Sequence, residues 1–268
     1  MKVGIIGNSS IARNKFIPAL RQISDISEIV IATESRGENH THNNHYMLIH
    51  GYLDDSLLDC DFVYVSLPNS FHYEVAKHYL SYGVSVLCEK PIAFNLREVN
   101  HLISVAESNN CILSENFQFI EHLQFKELVK IINSNEIGEI LQFNSRFSFP
   151  PFADASNIRY SEELLGGALN DAGCYPLRAF VEFIDESVST EILHTVKEYD
   201  DFSVDIYGSY SLRSGSTIFN GFYGFNSTYV CDYDILGTDG RIFSNRLFTA
   251  PEDMEVIINI EHNPRIRR

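Results

Sequence analysis

The chain of 268 residues has no apolar run approaching the ~18 to 20 residues that a membrane-spanning helix requires, so nothing in it points into a bilayer. It has no excess of positive charge either. Lys and Arg number 20 against 36 Asp and Glu, and the formal net charge of -16 repels phosphate backbones, which excludes nucleic-acid binding driven by counterion release. An anionic ligand would therefore need a local cradle. There is no CxxC pair: Cys60, Cys88, Cys111, Cys174 and Cys231 are odd in number, widely spaced and mostly set in apolar runs. That pattern argues for reduced thiols and a reducing compartment rather than disulfides or a metal. His40, His42, His45 and His50 lack an accompanying carboxylate pattern, so they read as a solvated polar loop and no metal site is expected. Neither a basic n-region nor a cleavage site precedes the opening Met1 to Gly7, and the expected location is cytoplasmic. Internal repeats and low-complexity linkers are also missing. A hydrophobic fraction of 44% with 21% charged residues leaves an ordinary globular protein, of a length comfortable for two domains.

Val3 to Ile6 is a short apolar run ended by Gly7, after which Ile11, Phe16, Ile17, Leu20 and Ile23 fall at roughly helical spacing. Glu28 to Thr33 is a second strand, of the continuous β-branched kind that a parallel sheet buries on both faces. The alternation then repeats, with strands over Phe62 to Leu67, Val84 to Cys88 and Cys111 to Leu113, and helices over Tyr73 to Tyr82 and Leu96 to Ser108. This argues a doubly wound parallel sheet. Gly37 to Tyr46 reads as a polar loop leading into a short irregular helix. From about Phe119 the texture changes. Leu123 to Asn133 is an amphipathic helix, and Leu141 to Phe149 alternates as a strand with one wet face. Thr190 to Val196, Phe202 to Leu212, Ser216 to Tyr223 and Tyr229 to Leu236 behave similarly, punctuated by turns such as Arg213-Ser214-Gly215. The expectation is an α/β chain: residues 1–118 form the doubly wound domain, and residues 119–268 form an α+β domain on a largely antiparallel open sheet. An open sheet face of this size usually finds a partner, so a homodimer through that face is expected.

Gly7-Asn8-Ser9-Ser10-Ile11-Ala12 overlays the G-x-G-x-x-G/A phosphate-binding turn, with Ser9 at the second glycine. The first glycine permits the tight turn, the next small residue lets backbone approach a pyrophosphate, and Ala12 permits close helix packing. The end of the second strand reads Thr33-Glu34-Ser35-Arg36. Ser35 and Arg36 suit a ribose 2′-phosphate and lean the reading to NADP, whereas Glu34 would suit NAD. Glu89-Lys90-Pro91 follows a sheet strand, where open α/β sheets bind ligands; it is either a site lysine or a surface pair with a proline turn. Gly166 to Arg178 runs from a glycine turn into a helix that carries Asp171 and Tyr175 four residues apart on one face. A carboxylate beside a phenol supplies an orienting acceptor and a proton donor, as carbonyl reduction needs, although a first-turn acid and a core aromatic would look the same.

Taken in order, the glycine turn, Pro68-Asn69-Ser70-Phe71-His72, Glu89-Lys90-Pro91, Ile137-Gly138-Glu139, Gly166 to Tyr175 and Gly237 to Ile242 resemble the glucose-fructose oxidoreductase/inositol dehydrogenase (Gfo/Idh/MocA) family over Met1 to about Phe243. Tyr175 is similar to the glucose-fructose oxidoreductase, dihydrodiol dehydrogenase and deoxysugar ketoreductase branches, and Pro18-Ala19-Leu20 and Pro176-Leu177-Arg178-Ala179 are similar to the nucleotide-linked deoxysugar 3-ketoreductases in particular. The resemblance implies a Rossmann domain and an NADP-dependent (NAD possible) oxidoreductase acting on a sugar or nucleotide-sugar carbonyl. Lys90 would hold or protonate the substrate oxygen, Asp171 would orient a hydroxyl or Lys90, and Tyr175 would donate the proton. Gly7, Asn8, Ser9, Ser10, Ile11, Ser35, Arg36, Leu67, Pro68, Asn69, His72, Glu89 and Lys90 become the candidate cofactor contacts. Asn116 and Arg159 join Lys90, Asp171 and Tyr175 as candidate substrate contacts. Two other readings remain open at this point: a cofactor-binding relative without activity, and an enzyme that cycles a tightly held cofactor. Family members normally continue past the Gly237 to Ile242 strand, whereas this chain stops at Arg268, so its second domain is expected to be short for the family.

Overall fold

The computed structural model describes residues 1–34, 46–184, 189–198, 201–251 and 253–263, with backbone only for 46–50. The chain divides into two compact units: unit 1 is Met1–Asn116 with Glu163–Leu165, and unit 2 is Phe117–Glu162 with Gly166–Arg268.

Unit 1 is built on six parallel strands: β1 (Lys2–Ile6), β2 (Glu28–Thr33), β3 (Tyr46–His50), β4 (Phe62–Val65), β5 (Ser85–Glu89) and β6 (Leu113–Asn116). Their order is β3-β2-β1-β4-β5-β6, which places the reversal of winding between β1 and β4. Both faces are covered, and for that reason Val3, Ile5 and Ile6 are all fully buried. Val3, Ile5, Ile31 and Tyr64 face a cluster with Ala12, Ile17 and Leu20. Ile6, Val63, Val65 and Val86 face the opposite one, with Val75, Leu80 and Leu102 from α2 (Asn69–Ser81) and α3 (Leu96–Ser108). α3 begins at Asn95, whose side chain accepts the Glu98 N–H at 3.0 Å, while Glu98 reaches back to the Phe94 N–H at 3.1 Å.

Three differences from expectation stand in this unit, the first being that the strand expected over Cys111 to Leu113 runs instead over Leu113–Asn116. Tyr46–His50 is a strand, paired in parallel with β2 (Ile29 opposite Tyr46), where a loop and irregular helix were expected. The apolar Met47, Leu48 and Ile49 follow a polar stretch that hides them as a strand, and the irregular turn comes later, as a 3-10 turn at Asp55–Leu57. The helix expected from Ile11 opens instead as a π-helical turn, Ala12–Phe16, before α1 (Ile17–Leu20). Pro18 supplies the reason. It has no N–H for the carbonyl four residues back and its ring crowds that carbonyl, so the chain widens there by one residue.

Unit 2 carries β7 (Ile140–Ser148), β8 (Thr190–Glu198), β9 (Tyr207–Ser214), β10 (Thr217–Gly224), β11 (Val230–Gly237), β12 (Gly240–Ser244) and β13 (Asn259–His262). The sheet order is β13-β12-β11-β7-β10-β9-β8, antiparallel except where β10 runs parallel to β7. One face is filled by α4 (Leu123–Asn133), a π-helical turn at Leu169–Gly173 and α5 (Cys174–Val181). Phe125, Phe143, Phe147, Phe180, Phe219 and Tyr223 pack into one aromatic core there. Pro176 follows this second π turn as Pro18 follows the first. The opposite face is polar and outward. Arg146 pairs with Asp232 and Arg241 pairs with Asp234 around an open depression of about 400 Å³, and Asn220 bridges Ser211 and Asn144. The strand expected from Phe202 begins only at Tyr207, and β13 was not expected at all. All four residues of β13 are exposed, so no buried face marks it in the sequence.

Candidate active site

In unit 1 three loops leave the carboxyl ends of β1, β4 and β5. Gly7 has φ 94°, and a Cβ there would lie 2.8 Å from both the Ser66 carbonyl oxygen and Leu67 Cδ2, so only glycine fits the turn. The Ser66 hydroxyl donates to the Gly7 carbonyl at 3.1 Å, seating the loop against the end of β4. Ser9, in the place of the second motif glycine, accepts the Ala12 N–H on its hydroxyl at 3.1 Å and so caps the turn. Asn8 and Ser10 are exposed, Ile11 is half-buried and Ala12 is fully buried against the sheet. The Arg13 guanidinium donates to the Asn8 carbonyl, holding a positive charge over this loop. Ser35 and Arg36 lie outside the described residues.

Leu67 is buried, Pro68 leads into α2, and the Asn69 amide donates to the Leu165 carbonyl at 2.8 Å. His72 is fully buried, with Nε2 2.8 Å from the Leu67 carbonyl and Nδ1 2.8 Å from the Pro91 carbonyl. Burial outweighs those two contacts and lowers its pKa. The neutral ring carries a single N–H, so His72 donates to one of these two carbonyls and lies between the β4 and β5 loops. Glu89 is held on the sheet: the Tyr64 hydroxyl donates to its Oε1 at 2.5 Å and the Asn116 amide to the same oxygen at 2.7 Å. Burial first, then the negative Glu89, pushes the Tyr64 phenol far above its ordinary range, so it remains a donor. The Glu115 carboxylate accepts the Ile92 N–H at 2.8 Å. Lys90, half-buried, is therefore framed on both sides by anchored residues. Asn116, expected at the substrate, is placed on Glu89. A turn that only glycine fits, a capped helix start beside it and a lysine at the next strand end suit a dinucleotide laid across the β1/β4 reversal.

In unit 2 the structure brings Arg159 and Asp171 together. Arg159 Nε lies 2.6 Å from Asp171 Oδ2, and its guanidinium stacks 4.9 Å over the Phe152 ring. Two glycines allow this. A Cβ at Gly166 would sit 2.4 Å from the Arg159 carbonyl oxygen, and the Gly167 N–H donates to that oxygen at 2.8 Å. Tyr175 stands on the next turn, its ring packed against Phe117, Phe119, Phe147 and Phe248 at centroid distances of 5.0 to 5.9 Å. Four aromatic neighbours leave that ring little freedom to turn.

Asp205, which sequence reasoning missed, starts this helical segment. It is 7% exposed; its Oδ2 accepts the Leu169 N–H and its backbone carbonyl the Ala168 N–H, each at 2.8 Å. It lies far from Leu169 in the chain, so no local capping pattern announces it. At the other end of the π turn the Tyr210 hydroxyl donates to the Gly173 carbonyl at 2.8 Å. Among the described residues no group of His, Cys, Asp and Glu could hold a metal ion, and no helix is long and apolar enough to cross a membrane.

Comparison with known proteins agrees over both units. Residues 1–117 match the model of the Gfo/Idh/MocA oxidoreductase family, NAD-binding Rossmann fold, and residues 125–243 match the C-terminal domain of the same family. A dTDP-3,4-didehydro-2,6-dideoxy-alpha-D-glucose 3-reductase from Saccharopolyspora spinosa is 33% identical over 97% of this chain and 79% of its own. The enzyme of the same name from Actinomadura kijaniata is 32% identical over 97% of this chain and 79% of its own. The crystal structure of a 3-ketoreductase from Actinomadura kijaniata, in complex with NADP and TDP-benzene, superposes with a TM-score of 0.90 at 30% identity, covering 99% of this chain and 82% of that one.

Proposed function

The chain belongs to the Gfo/Idh/MocA oxidoreductase family, and on that footing we propose that it is an NADP-dependent enzyme that reduces, or in reverse forms, the carbonyl of a sugar or nucleotide-sugar. The observation that carries the reading is the close meeting of three loops in unit 1: Gly7 seats against Ser66 and Leu67, and the buried His72 fills the space between the Leu67 and Pro91 carbonyls beside Lys90. Cofactor cradle and candidate acid thereby lie on adjoining loops. When bound, NADPH would supply the hydride that the carbonyl carbon takes up. Negative charge then grows on the oxygen, and a proton must reach it. Lys90 holds that oxygen, Tyr175 or Lys90 gives it the one proton it needs, and Asp171, oriented by Arg159, aligns a neighbouring hydroxyl.

Ser35 and Arg36 favour a 2′-phosphate, in line with the NADP bound to the Actinomadura 3-ketoreductase. The names of the relatives favour a thymidine-diphosphate-linked keto-sugar as substrate. The reading includes a cytoplasmic protein, supported by five free cysteines, and a homodimer formed through the outward face of the seven-stranded sheet. The test mixes the protein with NADPH and a panel of free and nucleotide-linked keto-sugars and follows loss of the reduced cofactor. Turnover with a nucleotide-linked member, abolished in Lys90→Ala, is expected; no turnover with any member would refute the proposal.

A further inference from the structure

Tyr64 has no place in the family motifs, yet it is a fully buried phenol whose one polar atom sits on a carboxylate. It lies in the middle of β4, and its ring stacks on Phe16, centroid to centroid 3.9 Å, at the end of the π turn that follows the glycine loop. Its hydroxyl crosses to the next strand and meets Glu89 Oε1 at 2.5 Å. Asn116 approaches the same oxygen from the strand on the other side, 2.7 Å away, directly opposite Glu89 in the β5 to β6 register. Two donors from two neighbouring strands therefore converge on a single carboxylate oxygen. Oε1 is saturated, and Oε2 keeps its acceptor capacity.

A glutamate at a strand end has three rotatable bonds, and left to itself it would sample many positions. Charge-assisted bonds to one oxygen remove that freedom before any ligand arrives. From this clamp, and resting on the cofactor reading above, we infer that Tyr64 and Asn116 are positioning residues that fix the Glu89 carboxylate in one orientation, beside Lys90, for cofactor binding. The inference reassigns Asn116 from the substrate to the carboxylate beside Lys90. It also gives Phe16 a purpose: by stacking on the Tyr64 ring it sets the phenol's reach, linking the start of the cofactor loop's helix to the clamp.

The test is a pair of double-mutant cycles on NADPH affinity, measured by titration of the full chain without substrate. Tyr64→Phe removes only the hydroxyl, and Asn116→Ala removes only the amide; circular dichroism confirms that each variant is folded. Each weakens NADPH binding about tenfold in the parent background. In the Glu89→Ala background neither substitution weakens it further, because both act through that carboxylate. A role confined to general stability would instead lower affinity by the same factor in both backgrounds, and that result overturns the inference. So does unchanged affinity in both single variants. If the parent chain itself binds no NADPH, the cofactor reading fails and this inference falls with it.

Discussion

Replacing Asp205 separates the two ways in which one buried carboxylate can start a helix. In Asp205→Ala the Leu169 N–H loses the acceptor 2.8 Å away, at a position only 7% exposed, while the backbone bond from Ala168 survives. An unsatisfied buried donor costs about 1 to 3 kcal/mol. Loss of the negative charge at the start of the segment adds about 0.3 to 1 kcal/mol. Together these destabilise unit 2 by roughly 1 to 4 kcal/mol. In Asp205→Asn the side-chain carbonyl still accepts, only the charge is lost, and the cost is about 0.3 to 1 kcal/mol. Urea unfolding followed through tyrosine circular dichroism measures both, and hydrogen exchange of residues 166–175 reports whether the loss is local. Equal destabilisation by the two variants would refute the argument, since it would mean that charge, not the acceptor, is what the segment needs. Unchanged exchange in Asp205→Ala would refute it too.

Gly7→Ala forces a side chain into the left-handed region, at about 1 to 2 kcal/mol, and drives a Cβ into the Ser66 carbonyl; equilibrium titration should show NADPH affinity down at least about tenfold. Arg159→Met removes the partner 2.6 Å from Asp171, and steady-state kinetics should show kcat/KM reduced about ten- to hundredfold with NADPH affinity unchanged. Burial pushes the Cys60 thiol up to about 11 and the Tyr79 phenol up to about 12. An unfolded chain releases the thiol proton near pH ~8.5 and the phenol proton near ~10, while the folded one retains both. Stability is therefore full below about pH 8.5 and declines as pH rises toward 11, and Cys60→Ala makes the decline in urea midpoint shallower without abolishing it, because burial raises the Cys88 thiol as well. Light scattering should give a dimer at micromolar concentration, and Phe222→Lys, on the outward sheet face, should give a monomer.

Much of the architecture was legible where burial on one face imposes a period. Leu96–Ser108 and Leu123–Asn133 begin and end where their apolar spacing says, and β1 and β2 are buried runs between turn signals. β3 was hidden behind a polar stretch, and β13 has no buried face to leave a pattern. The glycine turn, Lys90 and the Asp171/Tyr175 helix were visible because each is a local motif with a local physical reason. Tyr64 and Asp205 were not. A tyrosine inside Phe62-Val63-Tyr64-Val65 reads as one more core residue of a parallel strand, and its meaning comes from Glu89, 25 positions on. Asp205 likewise acquires its role only when the fold returns it to Leu169, 36 positions back.

The two proline-bounded π turns also set where the chain tolerates changes of length. Each holds a surplus residue that an ordinary helix would lack. Deleting it narrows the turn to α-helical winding and removes the widening that accommodates the proline carbonyl clash. A deletion there would carry the glycine loop, or the Gly166-Gly167 turn, off its seat, though the same loss in a surface connection would pass unnoticed. Anyone shortening, splicing or grafting this chain has to leave Ala12 to Pro18 and Leu169 to Pro176 at their present count and make cuts elsewhere.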